Sequence, residues 1–191
     1  MAASLLFFAG LLTWLPGEKG FPQTIAQDMV NRHDLCKMAP DHHFLPGVAN
    51  NDFTSVGSQL SGIIKVPVIS TALKGWTFAG AGPCPIWAHA TGHLLYRKGD
   101  ETLSLFTIPA EDFSLGYTSG NYAVKISDHV LAGFLRGDAL YCVVIESPGE
   151  TISIERAQRL RNELENDFRN ISFSAPAVAR GPFHGMRVAS R

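Results

Sequence analysis

One stretch, residues 75–110, limits the possible folds of this 191-residue chain more than any other. It contains three segments of alternating character, the middle of which covers residues 89–97. There Gly92, Leu94 and Tyr96 share one side, and His93 lies on the other. A period of two is typical of strands with two differently packed faces. We therefore expect three consecutive strands, of which the second and third form a hairpin.

The connections in this stretch are also informative. Residues 98–101 are short, polar and contain a glycine, which is typical of a tight hairpin. Residues 81–85 contain two prolines and a glycine around Cys84, which predicts a constrained turn. Cys84 should therefore lie at a corner of the sheet.

The remaining chain adds more strands and three helices. An almost wholly apolar segment at residues 139–146 predicts a central strand, and a short extended piece at residues 66–69 with Pro67 predicts an edge strand. The other expected strands and helices are strands at 121–127 and 129–135, and helices at 21–38, 52–64 and 151–168. The fold class expected is α+β: an antiparallel sheet of about five to six strands, two preceding helices and one C-terminal amphipathic helix.

The first two helices have recognisable apolar faces. Ile25, Met29, His33 and Cys36 recur at helical spacing, so His33 and Cys36 should be neighbours one turn apart. In the second helix, Asn51 or Asp52 is the expected cap, and the stripe expected is Phe53, Val56, Leu60 and Ile63.

The ends of the chain differ from this domain of residues 21–170. Residues 1–16 are apolar and uncharged, and fit the end of a membrane anchor, a signal segment or a buried helix. Residues 171–191 are rich in small residues and read as a flexible tail. With a net charge of −1 and no basic stripe, a nucleic-acid surface is not expected.

Four residues are candidates for a metal site: His33, Cys36, Cys84 and His93. Two thiolates and two imidazoles can hold zinc tetrahedrally, although their spacing is not that of a zinc finger. A Cys36–Cys84 disulfide is an alternative outside the cytoplasm, and inert buried side chains are another. Cys142 lies inside an apolar strand and reads as a structural thiol.

Catalysis is not expected. Ser104, His93 and Asp128 could be combined as a hydrolytic trio, but no nucleophile-elbow motif, phosphate loop or dinucleotide fingerprint is present. His129 has no evident partner in the sequence.

The order of these features resembles the extracytoplasmic region of bacterial membrane-bound anti-sigma factors, the transmembrane transcriptional regulator type. After an apolar segment, four motifs occur in the family's order over roughly residues 1–145: RHDLC at 32–36, GWTFAGAGPCPI at 75–86, HLLYR at 93–97 and LSLF at 103–106. The family's N-terminal zinc-binding domain, which grips the sigma factor, has no counterpart here.

This resemblance implies a non-enzymatic sensing or anchoring domain of a membrane-bound regulator. The bulk of the chain would be periplasmic, held by the N-terminal apolar segment, and would contact a sigma factor only through a missing N-terminal domain. The alternative is a secreted metal- or haem-binding protein that uses the histidine and cysteine ligands. No cofactor is expected beyond zinc at those four residues.

Overall fold

The structure, a computed structural model, describes residues 23–38, 44–45, 52–111, 121–147 and 152–170. The segments predicted as a membrane anchor or signal (1–16) and as a flexible tail (171–191) lie outside these ranges. Within the described residues, no helix is both long enough and apolar enough to cross a membrane.

The expected α+β fold is confirmed, and the described residues form a six-stranded antiparallel sheet and three helices. The elements are α1 (Gln23–Met38), α2 (Phe53–Ile64), β1 (Thr77–Ile86), β2 (His89–Lys98), β3 (Glu101–Pro109), β4 (Asn121–Ile126), β5 (His129–Arg136), β6 (Ala139–Glu146) and α3 (Ile154–Asn170). The strand order is β1-β2-β3-β6-β5-β4, so two three-stranded meanders join through their last strands. The apolar strand β6 is central, as predicted.

Both faces of the sheet are covered. Helices α2 and α3 pack on one face against alternate residues such as Leu94, Leu103 and Val143. Helix α1 packs on the opposite face, where Phe106 and Val144 lie. Because side chains alternate along a strand, the two faces receive different residues from the same segments.

The predicted helix faces are largely confirmed. Ile25, Met29, His33 and Cys36 are all buried on α1. Asp52 caps α2, accepting a hydrogen bond from the backbone N–H of Ser55 at 3.0 Å. The α2 stripe ends differently from the prediction, because Ile64 is buried whereas Ile63 is 44% exposed.

Two local predictions were wrong. Residues 81–85 belong to strand β1, and the turn falls at Trp87 and Ala88, both of which have positive φ (48° and 67°). An edge strand accepts prolines because one side of its backbone makes no ladder hydrogen bonds, so Pro83 and Pro85 do not end β1.

The second error concerns residues 66–69, which form no strand. Val68 and Ile69 are buried under α2, and the Val68 N–H donates to the Ser61 hydroxyl at 2.9 Å. The Ser61 side chain of α2 therefore accepts the hydrogen bond of a backbone N–H that was predicted to belong to an edge strand.

Candidate functional site

Helix α1 brings two adjacent groups of titratable residues together on its face of the sheet. The first, here called the thiol cluster, is Cys36 of α1, Cys84 of β1 and His93 of β2. One ligand atom from each lies within 4.8 Å of the others, and all three residues are buried. Three elements distant in sequence therefore converge on one point.

The two thiols of this cluster are electrostatically unequal. A hydrogen bond to Cys84 lowers the pKa of Cys36, with a smaller contribution from the charge of Arg32. The same hydrogen bond and burial raise the pKa of Cys84. Cys36 is thus the thiol that ionises first, with Cys84 as its hydrogen-bond donor.

His93 is held rigidly beside the thiols. Its ring stacks on Phe106, with 4.5 Å between centroids and 6° between planes, and the Phe44 ring lies 5.9 Å away. Phe44 in turn lies over Gly80, where an added Cβ would come within 2.2 Å of the Phe44 ring. Glycine at this position lets Phe44 cover the cluster.

The hydrogen bonding of His93 is incomplete. Its Nε2 lies 2.7 Å from the Ser104 hydroxyl, whereas its buried Nδ1 has no hydrogen-bond partner among the described residues. Because Nε2 is engaged by Ser104, we infer that Nδ1 is the nitrogen available to the thiols. A hydrogen bond to His93 also lowers the pKa of Cys84, against the larger effects that raise it, so the ring interacts with at least one of the thiols.

Ser104 connects the thiol cluster to a second group. Its hydroxyl lies 2.7 Å from Nδ1 of His33 as well as 2.7 Å from Nε2 of His93. All three side chains are almost completely buried. A serine hydroxyl has one proton and two acceptor lone pairs, so Ser104 uses its proton here when it donates to one histidine and accepts from the other.

The second group, here called the histidine–carboxylate cluster, comprises His33, Asp34, His129 and Glu146, with one ligand atom from each within 4.8 Å of the others. His129 Nε2 lies 3.1 Å from Asp34 Oδ1 and 4.0 Å from Glu146 Oε2. His33 Nε2 lies 3.6 Å from the same Glu146 oxygen. Two imidazoles and two carboxylates thus converge from α1, β5 and β6.

A positive charge already lies against this group. The Lys37 ammonium forms an ion pair with Glu146 and lies 3.6 Å from Asp34 Oδ1. The Thr102 hydroxyl, 3.0 Å from His33 Nε2, completes the surroundings.

His33 belongs to both networks and is held neutral. Burial, followed by the charges of His129, His93 and Lys37, lowers its pKa well below the usual histidine value. A neutral imidazole has one donor and one acceptor nitrogen. The His33 ring faces Ser104 with Nδ1 and Glu146 with Nε2, so only one of these two nitrogens carries a proton at a time.

The structure brings together three of the four predicted metal ligands, namely Cys36, Cys84 and His93. The fourth, His33, lies beyond Ser104 and contributes to the neighbouring cluster. All three cysteines are free thiols, and Cys142 is buried in β6. Burial raises the pKa of Cys142, as suits a structural thiol.

The trio considered for hydrolysis is only partly assembled. Ser104 and His93 are hydrogen-bonded, but the hydroxyl is fully buried between two histidines, and Asp128 lies in the exposed turn between β4 and β5.

Sequence reasoning missed Asp34, His129 and Glu146, although one signal was available. The strands predicted at 129–135 and 139–146 leave only a short connection between β5 and β6, and Arg136 pairs with Ala139 across it. Counting seven residues back and forward from that pair places His129 opposite Glu146, as observed. The position of Asp34 above them depends on how α1 docks and has no local signal.

Comparison with known proteins assigns no family, since neither a protein-family model nor a curated protein matches the chain. The resemblance to membrane-bound anti-sigma factors therefore stays a prediction.

Proposed function

We propose that this chain is a non-enzymatic sensing domain that binds a thiophilic metal ion, Zn²⁺ or Cu⁺, at the thiol cluster. The observation that carries the proposal is the convergence of Cys36, Cys84 and His93 within 4.8 Å in a buried position. Thiolate and imidazole are the ligands that such ions prefer.

The electrostatics of the cluster support this reading. A cysteine binds a metal ion as its thiolate, and the lowered pKa of Cys36 favours this form. Nδ1 of His93, which meets no geometric hydrogen-bond criterion among the described residues, offers a lone pair in the tautomer that is protonated on Nε2. With Zn–S bonds of about 2.3 Å and Zn–N bonds of about 2.1 Å, ligand atoms around tetrahedral zinc lie roughly 3.6–3.8 Å apart, so small side-chain movements would bring these three ligands to bonding distance.

The cluster also suggests how a bound ion would be sensed. Cys36 lies near the end of α1, whereas Cys84 and His93 belong to the sheet. An ion bound by all three would tie the helix to the sheet and favour the docked state over any state in which α1 moves. Because α1 follows the apolar N-terminal segment in the sequence, its docking could be transmitted to a membrane anchor.

The resemblance to anti-sigma factors gives this sensor a setting. In that setting the domain would be periplasmic and anchored through residues 1–16, and its output would reach a sigma factor through a separate cytoplasmic domain. A secreted metal-binding protein would use the same site. Three ligand atoms this close together suit a single ion better than haem.

The test is metal titration of purified, reduced protein. Co²⁺, used as a spectroscopic probe for zinc, should produce sulfur-to-metal charge-transfer bands at one equivalent, and Zn²⁺ should displace it. Cys36→Ser and Cys84→Ser should each remove the bands. Cys142→Ser is the matched control, because it removes a buried thiol outside the cluster and should leave the bands intact. Bands that survive in Cys36→Ser, or are absent from wild type, would contradict the proposal.

A second candidate function rests on the adjacency of the two sulfur atoms. Cys36 and Cys84 could lose two protons and two electrons to an oxidant and form a disulfide, which would join α1 to β1 covalently. Diamide treatment followed by peptide mass spectrometry should then detect a Cys36–Cys84 crosslink and a free Cys142. A mixture of crosslinks that includes Cys142 would argue against a specific switch.

A further inference from the structure

We propose that the histidine–carboxylate cluster is a second cation site, for a divalent ion such as Mn²⁺ or Fe²⁺, and that Ser104 makes occupancy of the two clusters mutually antagonistic. The antagonism rests on the proposed function, whereas the second site stands on its own geometry.

The donor set argues for a harder ion than the one proposed for the thiol cluster. Two imidazoles and two carboxylates, His33, Asp34, His129 and Glu146, are a nitrogen and oxygen set without sulfur, which suits manganese or iron. The Asp34 side chain is 40% exposed, whereas the His33 side chain is fully buried. The site therefore has an open side, through which an ion could enter.

Lys37 provides an independent sign that this position attracts cations. Its ammonium contacts both carboxylates, Glu146 directly and Asp34 at 3.6 Å. A divalent ion would compete with this ammonium for the same oxygen atoms. Removing the Lys37 charge should therefore strengthen ion binding, whereas removing a purely structural ion pair would only weaken the fold.

The coupling follows from the single proton of Ser104. If an ion takes the Nδ1 lone pair of His93, the proton of that ring is on Nε2 and is donated to Ser104. The Ser104 proton is then satisfied by donation to His33 Nδ1, which places the His33 proton on Nε2. That nitrogen faces Glu146 and Thr102, and a protonated nitrogen cannot bind a cation. If Ser104 instead accepted from both rings, its own buried proton would have no acceptor among the described residues, at a cost in binding.

The reverse order gives the opposite result. An ion on His33 Nε2 places the proton on Nδ1, which donates to Ser104, and Ser104 donates to His93 Nε2. His93 then carries its proton on Nδ1, beside the thiols, and cannot act as a ligand there. Both imidazoles can serve their clusters together only if Ser104 accepts from both rings and leaves its own buried proton unpaired, so each ion should weaken the binding of the other.

The experiment measures Mn²⁺ binding by the loss of the free-ion EPR signal, first on metal-free protein. Wild type should bind one equivalent, and Glu146→Gln and Asp34→Asn should each weaken binding at least tenfold. Asp34→Asn is included because the Asp34 side chain is more exposed than that of Glu146, so its substitution should disturb folding less. Lys37→Gln should tighten binding. Absence of saturable Mn²⁺ binding by folded wild type, or binding unchanged in both carboxylate variants, would overturn the second site.

The titration is then repeated with one equivalent of Zn²⁺ already bound. Zinc should weaken Mn²⁺ binding at least tenfold in wild type and in Thr102→Val, which removes a hydroxyl beside His33 but retains Ser104. Ser104→Ala, checked for folding by circular dichroism, should largely lose the effect. If the effect persists in Ser104→Ala, repulsion between the ions explains it and the proton relay is wrong.

Failure of the two proposals can be distinguished. If the protein binds no zinc, the proposed function fails and the antagonism fails with it. The Mn²⁺ titration of metal-free protein still decides whether the second site exists.

Discussion

The two faces of the sheet differ in the kind of buried group that they hold. The face under α2 and α3 is packed mainly with aliphatic and aromatic side chains, and its tyrosines Tyr96 and Tyr141 donate their hydroxyls to backbone carbonyls at 2.8 Å. The face under α1 holds the thiol cluster, Ser104 and the histidine–carboxylate cluster. One face thus stabilises the fold mainly through apolar packing, while the other concentrates groups whose charge can change.

This difference shows how one sheet can carry both stability and chemistry. Side chains alternate along each strand, so a single strand such as β3 supplies Leu103 and Leu105 to one face and Ser104 to the other. The titratable groups are therefore built on a backbone that the opposite core holds in place. Substitutions on the two faces should have separable effects.

The largest effect is expected from Leu60→Ala on the α2 face. Leu60 is completely buried, and truncating such a leucine costs about 2–5 kcal/mol of unfolding free energy because a cavity remains. Urea denaturation should show this loss, while Co²⁺ binding at the thiol cluster persists in the folded fraction. Ile63→Ala, at a 44% exposed position on the same helix, should change stability by no more than about 0.5 kcal/mol. Equal losses in the two variants would contradict the assigned helix face.

An intermediate effect is expected from acidifying the α1 face. The pKa of His33 is lowered in the folded state, chiefly by burial. Below about pH 6.5, His33 is therefore protonated in the unfolded chain while it stays neutral in the folded chain. The stability of metal-free protein should fall as pH drops below about 6.5, with a contribution of up to about 1.4 kcal/mol per pH unit.

His33→Gln should remove this part of the pH dependence, and His89→Gln, at an exposed position, should retain it. Denaturation curves at several pH values between about 5 and 8 provide the measurement. The same pH dependence in wild type and His33→Gln would show that His33 does not cause it.

The smallest effect is expected where α3 meets the β2–β3 hairpin, at the start of β3. Arg156 forms a two-pronged ion pair with Glu101, with Nη2 2.7 Å from Oε2, and this contact lowers the pKa of Glu101. Because the pair is partly exposed, Glu101→Gln should cost only about 0.5–1 kcal/mol, and less at high salt. Lys125→Gln, at an exposed position on β4, is the control. A loss above about 2 kcal/mol would mean that α3 docking depends on this pair more than the exposure suggests.

Much of the fold could be predicted because its signals are local. Alternation and short turns located six strands, and the apolar run at residues 139–146 placed β6 centrally. Pro83 and Pro85 misled because their turn propensity was weighed without knowing that β1 is an edge strand. Whether residues 66–69 pair with a neighbouring strand also depends on tertiary contacts, so the segment could not be assigned from its own sequence.

The site was predictable in part for the same reason. His33 and Cys36 are one helical turn apart, and their proximity can be predicted from the helix period alone. The angle and depth at which α1 crosses the sheet decide which groups meet. They bring Cys36 beside Cys84 and His93, and they turn His33 toward Ser104. No spacing in the sequence encodes that docking, although the hairpin register already paired His129 with Glu146.

The prolines of β1 have a consequence for how this molecule meets other molecules. A proline has no N–H to offer to an added strand, so Pro83 and Pro85 interrupt the donors along the outer side of β1. A foreign strand, including one from a second copy of the chain, would find this margin a poor template for extending the sheet. Cys84 lies between the two prolines, so the segment that supplies a thiol to the cluster is also protected against edge-to-edge aggregation.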